Sequence, residues 1–246
     1  MTSIGEHELI SRVRAALNPE QAPPIRRARV FARQAPDPGV AARIGGRSPE
    51  EKKGLLDELA MACQPLRIAL ALVEDPQAAG QALAALVADR SPEWGPTKSV
   101  CAWRHPLVEA MELEAALRCQ EVPVTFTDPA MPAAQVNATA SLALMGVTSA
   151  DCCIAASATL VLRSRPGQPQ RLALLPSIHA VIITADQMIA DLAEWVARLS
   201  LENPEGPPDL THRMTLITGP SKTADIEATL VHGAHGPREL HLFVIT

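Results

Sequence analysis

The chain has 246 residues, of which 47% are hydrophobic and 20% are charged, and its formal net charge is −5. This length and apolar content suffice for one sizeable core. The charges form no long block of one sign and aromatic residues make up only 2%, which disfavours nucleic acid and anionic membrane surfaces as partners. We also predict no signal peptide and no membrane span, since no run of about 18 apolar residues occurs.

The N-terminal part differs in pattern from the rest. Residues 4–17 carry apolar side chains at helical spacing, whereas residues 18–46 are rich in Pro and Arg and show little periodicity. We therefore predict an N-terminal helix and flexible linker over residues 1–46 and one compact domain over residues 47–246, whose folding does not need the first segment.

The compact domain begins with capped helices. Ser48 and Glu51 have capping-box spacing around Pro49, and Asp75 precedes Pro76 in the same way. Strands then alternate with helices of 10 to 15 residues, which indicates a mostly parallel sheet covered on both faces. The predicted strands are 66–73, 99–103, 122–126, 178–184, 214–219 and 239–246, and the predicted helices are 48–63, 75–89, 106–120, 132–144 and 184–199.

A β-rich insertion interrupts this alternation. Residues 158–163 and 171–175 favour strands, and the turn-forming residues 164–170 lie between them. We predict that they form a hairpin inserted into the α/β pattern.

The strongest local motif is Thr218-Gly-Pro-Ser-Lys-Thr-Ala-Asp-Ile-Glu227, placed where a predicted core strand turns into a predicted helix over residues 221–230. Free amides at a helix start, the side chains of Ser221 and Thr223, and the Lys222 ammonium are suited to a carboxylate or phosphate. The alternative is ordinary helix capping. The ligand-binding candidates in this motif are Gly219, Ser221, Lys222, Thr223 and Asp225.

The five cysteines are odd in number and show no CxxC spacing, which predicts free thiols in a reducing cytoplasm. Cys152 and Cys153 are adjacent, and we expect two buried thiols in a strand rather than a vicinal disulfide. No zinc site is predicted, because the histidines lack metal-ligand spacing to cysteine and no HExxH motif occurs.

Three segments together resemble one known family. The family is that of lactate utilization protein C, which contains a LUD domain. Its central block is similar to residues 146–162, the block that follows is similar to residues 174–179, and its C-terminal block is similar to residues 218–245. The resemblance implies an α/β/α sandwich like that of the sugar-phosphate isomerases and CoA transferases.

The same resemblance implies a function. It suggests a subunit of a bacterial system that oxidises L-lactate to pyruvate, with an iron–sulfur LUD protein and a cysteine-rich oxidoreductase subunit as partners. No cofactor is expected in this chain, because iron–sulfur ligation needs grouped cysteines. Two alternatives stay open: a stand-alone transferase or isomerase acting on an anionic small molecule, and a non-catalytic assembly or regulatory module.

The chain departs from the family at one place. Relatives commonly carry Glu-Thr-Gly-Thr where this sequence has Ala156-Ser157-Ala158-Thr159, so a carboxylate that is a candidate acid or base is missing. Whether the chain has catalytic activity of its own is therefore left open. Replacing glycine by Ala158 also predicts a less close approach of the backbone to any ligand.

The remaining candidates each have a structural alternative. Asp151, His179 and Glu227 are candidate catalytic residues, although an Asp after a turn often bonds only backbone, and a lone His in a core strand is more often structural. Arg238 is a candidate partner for a substrate carboxylate, or simply part of a turn. Thr148, Ser157 and Thr159 complete the ligand-binding candidates.

Overall fold

The computed structural model describes residues 38–202, 213–224, 230–233 and 236–246. The predicted helix over residues 4–17 lies outside these ranges, as do Asp225 and Glu227. The segment Pro36–Thr246 forms one compact unit. Within the described ranges, none of the helices has the length and apolar content needed to cross a membrane.

The helices and strands follow one another in an α/β order. The helices are α1 (Pro38–Gly45), α2 (Pro49–Leu66), α3 (Pro76–Ala88), α4 (Pro106–Glu109), α5 (Leu113–Ala116), α6 (Ala133–Leu142) and α7 (Leu192–Glu202). The strands are β1 (Ala69–Val73), β2 (Val100–Ala102), β3 (Val124–Phe126), β4 (Met145–Ser149), β5 (Cys152–Ile154), β6 (Thr159–Arg163), β7 (Ile178–Thr184), β8 (Met188–Ile189), β9 (Met214–Ile217), β10 (Lys222–Ala224), β11 (Leu230–His232) and β12 (Glu239–Ile245).

The main sheet has six strands in the order β1-β12-β7-β4-β2-β3, and every neighbouring pair is parallel. Strand β4 is buried throughout, and β7 is buried from Ile178 to Ile183. Strands covered on both faces are apolar along their whole length, as the IHAVIIT segment is. The predicted α/β class with a mostly parallel sheet is confirmed.

Alternate residues of β7 face two different cores. Val181 and Ile183 pack in the core that contains residues of α2, α6 and β6. Ala180 and Ile182 pack in the core that contains residues of α3, α4 and α5. The period of two along a strand therefore gives the main sheet a covering layer on each face.

A second sheet contributes to the first of these cores. Its strands have the order β8-β5-β6-β9, in which β6 runs antiparallel to both β5 and β9. A β-rich insertion is thus present, but the predicted pairing of residues 158–163 with 171–175 is wrong. Gln170–Ala173 is a short 3-10 helix, because Leu172 and Ala173 are buried against the main sheet instead of pairing with β6.

The predicted helix starts agree with the structure. The Ser48 Oγ accepts a hydrogen bond from the amide of Glu51 at 3.2 Å, and the Glu51 carboxylate accepts one from the amide of Ser48 at 2.7 Å. Asp75 Oδ1 likewise accepts a hydrogen bond from the amide of Ala78 at 2.7 Å. Each cap satisfies an amide that the first turn leaves without a partner.

Three other predictions need correction. The helix over residues 106–120 is broken, because Glu112 adopts φ +51 between α4 and α5. The helix from residue 184 is delayed to Leu192, since one 3-10 turn and the short strand β8 come first. Strand β4 was not predicted as a strand, although all five of its residues are buried.

Part of the predicted linker is ordered. Residues 38–45 form α1, which packs against α7. Next to it, Arg47 forms an ion pair with the buried Glu194 and donates a hydrogen bond from Nη1 to the Met188 carbonyl at 2.9 Å. Residues 38–45 therefore form a helix instead of an extended linker, whereas Arg47 lies in the predicted compact domain.

Candidate functional site

The carboxyl-edge pocket, a cavity of about 400 Å³, lies where β2, β4 and β7 end. Ligands in open α/β folds usually bind beyond the carboxyl ends of the strands, so this pocket is the first candidate site. Its wall consists of Trp103, His105, Pro106, Ser149, Ala150, Asp151, Arg165, Gln168, Gln187 and Arg198.

Asp151 organises the charged side of this pocket. Its carboxylate accepts hydrogen bonds from the Arg163 amide at 2.8 Å and the Arg163 Nε at 3.0 Å, and it also pairs with Arg165. Burial alone would raise the pKa of Asp151, but the hydrogen bonds and charges of Arg165 and Arg163 outweigh it and hold this pKa below its usual range. Asp151 is therefore an ionised anchor that positions two arginines.

A second carboxylate continues this network. Glu202 accepts two hydrogen bonds from Arg163, at 2.6 and 2.9 Å, and lies 4.0 Å from the Nε of Arg198. Among the residues that the structure describes, three guanidinium groups thus share two carboxylates, which leaves one positive charge in excess. The arginines that line the pocket, Arg165 and Arg198, give it the charge that a small carboxylate would require.

His105 adds a neutral donor to the wall. Its Nδ1 accepts a hydrogen bond from the Leu107 amide at 3.3 Å at the start of α4. Burial and the neighbouring Arg165 lower the pKa of His105. The imidazole is therefore neutral at pH 7, and the proton lies on Nε2, because Nδ1 acts as an acceptor.

Gln168 supplies an acceptor. Its Nε2 donates a hydrogen bond to the Arg104 carbonyl at 3.2 Å, which orients the amide. Its Oε1 is buried and has no hydrogen-bond partner among the residues that the structure describes. A buried acceptor without a donor is costly, so a ligand hydroxyl group is well suited to this position.

Two predicted site residues form a buried pair elsewhere. His179 is 1% exposed, and its Nε2 lies 2.8 Å from the Oγ1 of Thr148 on the neighbouring strand. Burial lowers the pKa of His179 to about 3, so the ring is neutral in the folded protein. This arrangement accounts for both side chains as part of the core, and a proton-transfer role for His179 stays an untested prediction.

The hydroxyl candidates lie together. Thr159 Oγ1 is 2.7 Å from the Oγ of Ser157 and 2.7 Å from the Oγ1 of Thr218. Between them, Ala158 is fully buried and adopts φ +47. This left-handed conformation favours glycine, so the backbone of Ala158 is strained. The turn therefore keeps the geometry that a glycine would take at this position.

The structure corrects the prediction for residues 218–227. Strands β10 and β11 pair as an antiparallel hairpin, so the predicted helix over residues 221–230 is wrong. Strand β9 is the edge strand of the second sheet and is only partly buried, not a core strand of the parallel sheet. The helix-dipole argument for an anion site therefore fails, although ligand binding by these residues stays untested.

The individual residues of that motif have structural contacts. Gly219 adopts φ +88, which favours glycine, and the Ser221 amide donates a hydrogen bond to the Pro237 carbonyl at 2.8 Å. Thr223 lies in β10, but its side chain is outside the described part, as are Asp225 and Glu227 entirely.

Arg238 lies away from the carboxyl-edge pocket. It forms an ion pair with Glu93 and directly precedes β12, whereas Asp151 follows β4 of the same parallel sheet. Arg238 thus lies at the amino end of the parallel strands and Asp151 at their carboxyl end, so the structure does not bring these two predicted site residues together.

Lys222 has a specific structural partner. Its Nζ donates a hydrogen bond to the carbonyl of Leu66 at 3.2 Å, at the last residue of α2. A cation at a helix C-terminus is stabilising, so we expect Lys222→Ala to lower the free energy of unfolding by less than about 1 kcal/mol. Urea unfolding followed by circular dichroism measures this. If Lys222→Ala leaves the free energy of unfolding unchanged and abolishes anion binding, the prediction that Lys222 binds an anionic ligand is supported instead.

The prediction missed His105, Arg165, Gln168, Gln187 and Arg198. Ligands usually bind beyond the carboxyl ends of strands, and the predicted strands 99–103 and 178–184 end close to His105 and Gln187, so the sequence does carry a signal for these two residues. Arg165 and Gln168 lie in a segment interpreted only as a turn, and their approach to the pocket depends on tertiary packing.

The profile of the LUD domain matches residues 56–245, so this chain belongs to the LUD domain family. A crystal structure of a DUF162 family protein from Deinococcus radiodurans has a similar fold, with a TM-score of 0.53 and 19% identity over 79% of this chain and 98% of that chain. The specific likeness to sugar-phosphate isomerases and CoA transferases is not tested by this comparison.

Several relatives are similar to part of this chain. An uncharacterized protein of Neisseria meningitidis is 40% identical over 41% of this chain and 41% of its own length. Proteins named lactate utilization protein C from Exiguobacterium and Halalkalibacterium halodurans are 34% and 31% identical, over 38% and 57% of this chain. The similarity spans 40% and 59% of the lengths of these two relatives.

Proposed function

We propose that this chain is a cytoplasmic subunit of a bacterial system that oxidises L-lactate to pyruvate, and that its carboxyl-edge pocket binds the small carboxylate. The relatives named lactate utilization protein C support the process. The observation that carries the ligand class is the pair Arg165 and Arg198 in a pocket at the strand ends.

The groups in the pocket match the parts of a 2-hydroxy acid. The guanidinium groups of Arg165 and Arg198 suit the carboxylate, because arginine binds carboxylates through two parallel hydrogen bonds. The Gln168 Oε1, which has no partner among the described residues, suits the hydroxyl hydrogen. The Nε2 proton of neutral His105 suits the oxygen on the adjacent carbon, whether hydroxyl or keto.

We assign electron transfer to partner subunits: an iron–sulfur LUD protein and a cysteine-rich oxidoreductase subunit. Cys63, Cys101, Cys152 and Cys153 are buried, and burial raises the pKa of each thiol, to about 11 for Cys63 and Cys101. Cluster ligands are thiolates, so these protonated thiols suit a core rather than a cluster. In the described ranges, no three His, Cys, Asp or Glu side chains group as metal ligands.

Growth on L-lactate tests the proposed role. A strain that lacks this gene is expected to grow poorly on L-lactate and normally on pyruvate, and the parent gene should restore growth. The double variant Arg165→Gln and Arg198→Gln should fail to restore it, because the pocket loses both positive charges. The matched control Arg118→Gln changes an exposed arginine on a 3-10 turn outside the pocket and should restore growth. Normal growth of the deletion strain on L-lactate would contradict the proposal.

A further inference from the structure

A second cavity, the amino-edge groove, lies at the opposite edge of the main sheet and has a volume of about 670 Å³. Its walls are the segments that directly precede β2, β4, β7 and β12. They contribute Trp94, Leu142, Leu174 with Leu175, and Arg238. Because the four strands are parallel neighbours, these segments meet at one edge, away from the carboxyl-edge pocket.

The groove concentrates exposed apolar surface. Among the described residues, ten large hydrophobic side chains are exposed, and four of them line this groove: Trp94 (62%), Leu142 (53%), Leu174 (41%) and Leu175 (38%). Single exposed apolar side chains scattered over a surface are normal, but several gathered in one concave site indicate ligand binding.

One guanidinium group lies at the polar end of the groove. Arg238 is half exposed, and its Nη2 pairs with Glu93 while its other N–H groups have no partner among the described residues. Gly233 makes room for this side chain, because a Cβ at that position would lie 2.2 Å from the Arg238 Cγ. A substitution at Gly233 would therefore displace the arginine.

Arg238 also lines a smaller cavity of about 360 Å³ next to the groove, together with Arg67 and Arg90. Arg90 is held by Glu239 through two hydrogen bonds of 3.0 Å, and Arg67 has no carboxylate partner in the described ranges. Within the described ranges, the three arginines have two carboxylate partners, Glu93 and Glu239, which leaves one positive charge in excess where the apolar groove ends.

We propose that the amino-edge groove is a second ligand site, for a small organic anion with an apolar body. The apolar body would lie on Trp94 and the leucines, and the anionic group would bind Arg238. The concave shape and the volume, which lies in the usual range for small-molecule sites, favour a small ligand over a second protein chain. This site is separate from the proposed lactate pocket.

The fluorescent anion 8-anilino-1-naphthalenesulfonate is a suitable probe, because it joins an aromatic body to one negative charge. We expect one molecule to bind per chain. Trp94→Ala and Arg238→Gln should each weaken binding at least about fivefold, in line with the loss of a packed ring or a charged hydrogen bond. The controls Leu72→Ala, which removes an exposed apolar group elsewhere, and Arg118→Gln should bind like the parent.

Competition tests both parts of the proposed ligand. Hexanoate should displace the probe, whereas acetate and 1-hexanol at the same concentration should not, since each has only one of the two features. Unchanged binding in both groove variants would overturn the proposal, as would equal displacement by hexanol. A dimer that forms with rising protein concentration, excludes the probe and is abolished by Trp94→Ala would also overturn it, by showing that the groove is a protein interface.

Discussion

Gly146→Ala is expected to destabilise the protein by more than about 3 kcal/mol or to prevent folding. A Cβ at this position would lie 1.9 Å from the carbonyl oxygen of Leu172 and 3.0 Å from the Pro176 Cγ. The first of these atoms is backbone and cannot rotate away. Gly146 is in β4, which pairs with β2 and β7, so the strand cannot shift without disturbing the centre of the sheet.

Gly54→Ala is the matched control for this substitution. Gly54 is in α2, and an added Cβ would meet no atom within 4 Å. Alanine is the better helix former, so this variant should gain about 0.5 to 1 kcal/mol. Urea unfolding followed by circular dichroism compares the two. A Gly146→Ala variant as stable as the parent would mean that the Leu172 carbonyl does not lie directly against Gly146.

The second large effect is a loss of stability in acid caused by His179. Its ordinary pKa is 6.5, and burial lowers it to about 3 in the folded protein. The unfolded chain therefore takes up a proton below pH 6.5, while the folded chain does not until about pH 3. Above pH 6.5 the neutral His179 makes its full contribution to the free energy of unfolding. Between pH 6.5 and about pH 3 this contribution decreases by about 1.4 kcal/mol for each pH unit.

His179→Gln isolates this contribution, because an amide can keep the hydrogen bond to Thr148 but does not titrate. Between pH 7 and pH 4, the parent should lose about 3 kcal/mol more free energy of unfolding than the variant. Carboxylates such as Asp151, whose pKa is lowered in the folded protein, also affect stability in acid, but they are common to both proteins and cancel in the difference. If the difference in free energy of unfolding between parent and variant does not change with pH, His179 is not held buried and neutral in the folded protein.

The parts of the fold that were predicted depend on local signals. The caps at Ser48 and Asp75 act within one helical turn, and the apolar run of β7 reflects burial on both faces. Strand β4 was missed because its sequence, MGVTS, contains glycine and polar residues and follows the helix after only two residues. Its burial is imposed by the neighbouring strands, and a single sequence does not reveal this.

The site was harder to predict for the same reason. Asp151 is a candidate site residue from the sequence and lines the carboxyl-edge pocket, but its partner Arg165 belongs to a turn 14 residues further on. The motif with Lys222 was interpreted as a strand followed by a helix, because Ser and Thr beside Asp and Glu suit helix caps. In the structure, residues 222–224 pair with residues 230–232, and this strand pairing overrides the helix-capping preference.

Calorimetric titration of L-lactate and pyruvate into the purified chain tests the proposed pocket most directly. We expect the parent to bind one ligand per chain, and Arg165→Gln or Arg198→Gln to weaken binding by about 10-fold or more, as expected for one charged hydrogen bond. Arg118→Gln and the groove variant Trp94→Ala should bind like the parent. If neither ligand binds the parent, or if both pocket variants bind as tightly as the parent, the carboxyl-edge pocket is not the carboxylate site.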